Sequence, residues 1–298
     1  MDKFIELFIN GLALGAIYAL VALGFVVIYR ASEVFNFAHG EFMALGAFIM
    51  SSLASAGVPW LLALALSMGL TGALGAAVER GVLRHLVGRA TYVPILMTIV
   101  VGLILRTLIL LAWPDQPMGM PTPWERTATV QIFGTPIFLN SIAAVAAGAL
   151  ALGLFIYLTR YTRMGLAMRA SASDGEAALA LGIPVGRVLG VTWGLATAYA
   201  ALAGIFLSMY PSNVESALGY TALRAFPAVI VGGLDSVLGT VIAGVLLGVL
   251  EVLSESYINP SLGNFGHGFH TVFPYIVMIV VLMVRPYGLF GTREVERV

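Results

Sequence analysis

No cysteine occurs anywhere in the sequence. That excludes disulfides, thiolate metal sites and a cysteine nucleophile. Charge is almost as scarce: 10% of the residues are Asp, Glu, Lys or Arg, against about a quarter in a soluble domain. The fifteen basic and fifteen acidic residues cancel, and the basic ones are scattered among apolar runs, which argues against a nucleic-acid partner. A G-x-x-x-x-G-K-[ST] phosphate loop is missing, so the usual route to ATP is closed. Nor do a nucleophile and base, or a metal triad, stand together. The four histidines, His39, His85, His267 and His270, fall in three separate places, so neither a catalytic nor a metal site is expected.

What fills the 298 residues is hydrophobic sequence, 60% of the total, with a mean hydropathy of +0.98. A bilayer core about 30 Å thick takes roughly 20 apolar residues of helix. Six runs fit that length: Leu7–Tyr29, Trp60–Val78, Tyr92–Trp113, Ile137–Leu158, Val188–Tyr210 and the shorter Thr271–Val284. The first lacks a small-residue cleavage site and is too long for a signal peptide, so it is expected to span. Two further stretches, Phe35–Leu53 and Ala225–Leu253, are apolar but interrupted. The fold expected is an all-α membrane protein: a polytopic bundle of about eight segments, two of them interrupted, forming a single domain over 1–298. Gly11 with Gly15, and Gly244 with Gly248, are small-xxx-small pairs expected to pack helices closely within the subunit.

Arginines set the orientation, because cytoplasmic loops near membrane ends are enriched in Lys and Arg. They gather at Arg80, Arg84 and Arg89, at Arg160, Arg163, Arg169 and Arg187, and at Arg285, Arg293 and Arg297. With these ends inside and the N-terminus outside, the C-terminus faces the cytoplasm only if Ala225–Gly233 runs inward as a half-helix and Val237–Leu253 returns, a break that Gly232 and Gly233 permit.

The longest basic loop carries Ser171 to Pro184, which reads as one short amphipathic helix. Ser173 or Asp174 caps it, Glu176 suits its positive end, and Gly182 with Pro184 stops it. Ala177, Ala178 and Leu181 give it a small apolar face. The segment Asp174-Gly175-Glu176-Ala177-Ala178-Leu-Ala-Leu181-Gly182-Ile183-Pro184 resembles the cytoplasmic coupling loop of the branched-chain amino-acid permease family of ABC importers. Asn36-Phe-Ala-His39-Gly40, and Val231-Gly232-Gly233-Leu234, are similar to that family's second segment and its late glycine-rich break. The resemblance implies a permease subunit in the cell (inner) membrane that forms the path for branched-chain amino acids. It further implies two cytoplasmic ATPases holding ATP and magnesium, a second and paralogous permease, an external binding protein, and no cofactor on this chain. The alanines of the coupling helix are then expected to seat in a cleft of the ATPase.

Polar groups in the membrane are tolerated where a broken segment faces a cavity. Asn36, His39, Glu41, Gly232, Gly233 and Asp235 are therefore candidates for the substrate pathway, with a structural capping role the alternative for Asn36 and His39. Glu41 and Arg106, charged within or beside apolar runs, must pair, snorkel or meet water. Urea and short amides are alternative substrates within the family, and a secondary transporter is the rival from another class.

Overall fold

In the computed structural model, residues 2–86, 88–90, 92–132, 134–209, 211–266 and 268–291 are described. His267, Arg293 and Arg297 lie outside them. The chain begins with the long helix α1 (Asp2–Ser32), followed by α2 (His39–Ser55), α3 (Trp60–Gly81) and α4 (Tyr92–Ala112). A two-stranded antiparallel hairpin comes next, β1 (Thr129–Ile132) with β2 (Thr135–Phe138). Then come α5 (Leu139–Tyr161), the short α6 (Arg163–Ser173) and α7 (Gly175–Ala180), and α8 (Val185–Leu207). The last part holds α9 (Leu218–Thr221) and α10 (Phe226–Gly232), joined by a 3-10 turn, then α11 (Val237–Leu253) and α12 (Phe269–Val284).

Among the described residues, six helices are long and apolar enough to cross a membrane, and Leu218–Gly232 and α12 are shorter apolar helices. The apolar runs of the sequence recur as α1, α3, α4, α5, α8 and α12, with ends shifted by a few residues. Two features were not foreseen. A hairpin stands between the apolar runs Tyr92–Trp113 and Ile137–Leu158, where no element was expected, and helix before the glycine break starts at Leu218 rather than Ala225.

α1 is buried almost continuously from Ala16 to Ile28, and with α2, α8 and α11 it makes the centre of the bundle. α3, α4, α5 and α12 turn leucines and valines outward, among them Leu61, Leu103, Leu150 and Val280. Around an apolar solvent such faces need no cover. The glycine pairs do what their spacing suggests. Gly11 lies against Val249, Gly15 against Val245 and Gly248, and Gly244 against Ala19. α1 and α11 are therefore antiparallel, with backbones in direct contact.

The two ends of the bundle differ. One gathers tryptophans: Trp60 Nε1 donates to the Pro121 carbonyl (3.1 Å), Trp113 Nε1 to Ser52 Oγ (2.7 Å) and Trp124 Nε1 to Asn140 Oδ1 (2.7 Å). This hairpin end also holds the start of α1, since Ser141 Oγ donates to Asn10 Oδ1 at 3.0 Å. The opposite, arginine-rich end brings Arg30, Arg84 and Arg89 around one cavity of about 550 Å³ with Ser171–Gly175. A neighbouring cavity there is lined by Arg30, Arg160, Arg169 and Asp235.

Candidate functional sites at mid-bundle and at the arginine-rich end

α2 does not run the full depth of the bundle. Gly102, the midpoint of α4, lies against Ala38 and Glu41, so α2 starts halfway. The chain between α1 and α2 is non-helical, and its freed backbone groups find local partners, as buried polar groups must. Asn36 Oδ1 accepts from the Ala38 N–H (3.0 Å), and Thr98 Oγ1 on α4 accepts from the Phe37 N–H (3.1 Å). Asn36 thus holds the break, the structural role that a short polar side chain favours there. His39 is fully buried, its ring 4.6 Å from that of Phe25. Neither ring nitrogen has a well-formed hydrogen bond, although the backbone of Val21 lies close enough to interact with it. Glu41 meets Arg106 at 3.5 Å through Oε1, so the two charges that had to be accommodated lie beside each other. Gly219, next to the start of α9, closes on Glu41 and Gly40.

Gly232, Gly233 and Asp235 stand elsewhere. They form the break between α10 and α11 at the arginine-rich end, with Asp235 in the cavity beside Arg30 and Arg160. Gly233 has φ +100°, a conformation that L side chains rarely adopt. A Cβ there would sit 2.6 Å from the Gly291 nitrogen. Leu289 N–H donates to the Val231 carbonyl (2.8 Å), and Ser236 Oγ caps α11 by accepting from Gly239 N–H (3.1 Å). The break is thus a close-packed turn in which α10 runs toward the arginine-rich end and α11 away from it. The six candidate pathway residues fall into two groups, Asn36, His39 and Glu41 at mid-bundle and Gly232, Gly233 and Asp235 at the arginine-rich end.

At the same end, the single helix expected over Ser171–Pro184 is two helices. Asp174 leaves helical geometry, ends α6 and caps α7, its Oδ1 accepting from the Ala177 N–H at 2.9 Å. Gly182, at φ +82°, closes α7, with its own N–H on the Leu179 carbonyl and that of Ile183 on the Ala178 carbonyl. Glu176 lies exposed in the first turn. The expected apolar face needs correcting at one position. Ala178 is only 2% exposed, turned into its own subunit, whereas Leu181 is 81% exposed and Ala177 and Leu179 point outward with it. A helix of six residues has room for one inward position per turn, and Ala178 takes it. The face free for a partner is Ala177, Leu179 and Leu181.

Two charge networks escaped the sequence reading. Glu79, 2% exposed near the end of α3, receives Arg84 Nε (3.1 Å) and Nη2 (2.7 Å), and the same guanidinium reaches the Gly186 carbonyl at the start of α8. Glu251, buried near the end of α11, accepts from Tyr18 Oη (2.7 Å) and lies 3.9 Å from Arg224. The available signal was a lone glutamate following an apolar run, Val78 to Glu79 and Leu250 to Glu251. Among the described residues, no three His, Asp or Glu side chains stand close enough to hold a metal ion.

A bundle of apolar helices, with one central helix starting at half depth among paired charges, defines a polytopic α-helical membrane transport protein. The chain belongs to the family described as branched-chain amino acid transport system / permease component, whose model matches residues 7–282. It is similar to the high-affinity branched-chain amino acid transport system permease protein LivH of Salmonella typhimurium, 30% identical over 99% of this chain and 98% of that one. It is likewise similar to BraD of Pseudomonas aeruginosa, 29% identical over the same shares. The ribose import permease protein RbsC of Escherichia coli is 25% identical over 79% of this chain and 74% of its own. One solved structure, PsaBC from Streptococcus pneumoniae in complex with Fab, covers 93% of this chain and 91% of that one, with TM-score 0.47 and 12% identity.

Proposed function

We propose that this chain is the membrane subunit of an ABC importer for branched-chain amino acids. In this reading it works with two cytoplasmic ATPases that hold ATP and magnesium, a second, paralogous permease subunit and an external binding protein, and it carries no cofactor of its own. The observation that carries the proposal is α7: a capped, glycine-terminated helix with leucines bare to solvent, at the basic end of a chain that belongs to a permease family. Exposed Leu179 and Leu181 on so short a polar loop are explained by a partner. The positive-inside rule puts the arginine-rich end in the cytoplasm and the N-terminus, at the hairpin end, outside. Closure of the ATPases around nucleotide then moves α7, and with it α6 and α8, as one lever. The names of LivH and BraD support branched-chain amino acids as cargo.

Purification from the native membrane in mild detergent, with mass spectrometry of what accompanies the chain, tests the assembly. Recovery of two ATPases and a second permease is expected; recovery of a lone homo-oligomer under several gentle conditions sinks the proposal and favours a secondary transporter. Coupling has its own test. Leu181→Asp should leave the amount of inserted protein unchanged, since the side chain touches little of its own subunit, and lower leucine uptake at least tenfold. Wild-type uptake by that variant removes α7 from the coupling role.

A further inference from the structure

One flank of the bundle carries charge at a depth where lipid cannot accept it. Arg106 lies one turn beyond the midpoint of α4, its guanidinium 4.3 Å from the centre of the Tyr220 ring and 3.5 Å from the Ser216 carbonyl. Tyr220 is 59% exposed; Leu223, three residues on in the same helical segment, is exposed as well, and Arg224 is half-buried. An arginine in hydrocarbon costs at least about 2.5 kcal/mol. This face therefore meets water or protein, unlike the face of α4 that shows Leu103 and Leu108.

Behind Arg106 the charge balance is incomplete. The Glu41 side chain is 12% exposed and its Oε2 is buried, yet that oxygen has no hydrogen bond, and the contact with Arg106 is long at 3.5 Å. A buried carboxylate oxygen without a donor is rare and calls for a water, an ion or a ligand. The guanidinium, with five donors, has bonds to spare. An acceptor for a cation, a donor set for an anion and the ring of Tyr220 therefore stand within a few ångströms of one another, with Leu223 exposed three residues further on. That set complements a zwitterion with an aliphatic side chain.

We infer that Glu41, Arg106 and Tyr220 form a transient station on the translocation path, and the inference rests on the amino-acid permease reading above. Arg106 takes the substrate carboxylate, Glu41 Oε2 the ammonium group, and the side chain lies along Tyr220 and Leu223. The long ion pair suits passage, because a tightly closed pair would compete with the substrate and a strong site would hold it. Arg224, kept in place by Glu251, is the next cationic position along the same flank.

The absence of native cysteine makes the test direct, since Tyr220→Cys gives this subunit a single thiol. In the assembled transporter in membranes, a water-soluble cationic methanethiosulfonate should label Tyr220→Cys and spare Leu103→Cys, and turnover with leucine and ATP should slow the labelling. A Tyr220→Cys that resists the reagent in every nucleotide state overturns the station. The ion pair is tested by Arg106→Gln alone and with Glu41→Gln, at equal yield of the complex. A pathway role predicts at least a tenfold loss of leucine uptake in both. If the pair is only a structural tie, neutralising both partners restores uptake, and that recovery overturns the inference. A wild-type complex that takes up no leucine overturns the amino-acid reading instead, while the Tyr220 labelling still decides whether this flank is wet.

Discussion

Replacing Gly15 by leucine is expected to remove almost all folded protein from the membrane. A Cβ on Gly15 would stand 2.7 Å from both Cα and the carbonyl oxygen of Val245, and Gly248 crowds the same residue from the next turn of α11. Backbone on both sides leaves no rotamer that relieves the clash. Overpacking of a well-filled core costs about 1–3 kcal/mol even where side chains can move aside, and here whole helices must separate. α1 is the most buried helix of the bundle, so its displacement opens the contacts of α8 and α5 too. The measurement is the quantity of monodisperse protein after extraction in detergent, with Gly153→Leu as control. Gly153, on α5, has nothing within 4 Å of the position its Cβ would take, and its leucine variant should extract like the wild type. Equal yields for the two variants would show that the α1–α11 contact does not hold the bundle together.

That each glycine pair lies in a close helix contact was legible in the sequence, because two glycines four residues apart on an apolar helix favour a close approach by themselves; that the two pairs meet each other was not. The helices were legible for a similar reason: hydropathy and length are properties of a segment alone. The direction of α10 and α11 also followed from one-dimensional arithmetic, the need to bring Arg285 to the same side as the other arginines. Pairings were not legible. That Glu41 and Arg106 each needed a partner could be argued from the cost of a bare charge in hydrocarbon, but nothing in the order of residues joins position 41 to 106, 79 to 84 and 186, or 18 to 251 and 224. Ala178 shows the same limit on a smaller scale. Spacing placed it on an apolar face with Ala177 and Leu181, yet which side of a six-residue helix turns inward depends on where α6 and α8 attach.

The three buried glutamates among the described residues share one arrangement. Glu41, Glu79 and Glu251 are each nearly without solvent, and each faces an arginine that keeps part of its surface exposed. Such pairs seldom stabilise a fold beyond what an apolar pair would give, because desolvation offsets the attraction. Their effect is positional. Each links elements distant in sequence: α2 to α4, α3 to the start of α8, and α11 to the segment joining α9 and α10.

The tightest of them, Glu79 with Arg84, carries the second large expectation. Arg84→Ala leaves a fully buried carboxylate with both oxygens bare and frees the Gly186 carbonyl. Breaking a buried pair by removing one partner costs about 3–5 kcal/mol. The lower figure applies because Arg84 is itself 35% exposed and partly screened. A loss of ~3 kcal/mol corresponds to roughly 10 °C in the midpoint of thermal unfolding, measurable in detergent by scanning fluorimetry. Arg84→Lys should recover only part of this, since an ammonium cannot span Nε and Nη2 as the planar fork does. Glu79→Leu with Arg84→Leu should recover most of it, because no charge is then left unpaired. The double variant separates stability from transmission. Arg84 is the side chain that ties the foot of α3 to the start of α8, immediately after α7. With stability restored and the tie absent, leucine uptake should still fall several-fold at unchanged ATPase content. Full uptake by the double variant would mean that α7 acts on α8 without needing the start of α8 fastened to the foot of α3, since α3 and α8 still pack closely at Gly72 and Gly75, and the pair would then be a fastening of the fold alone.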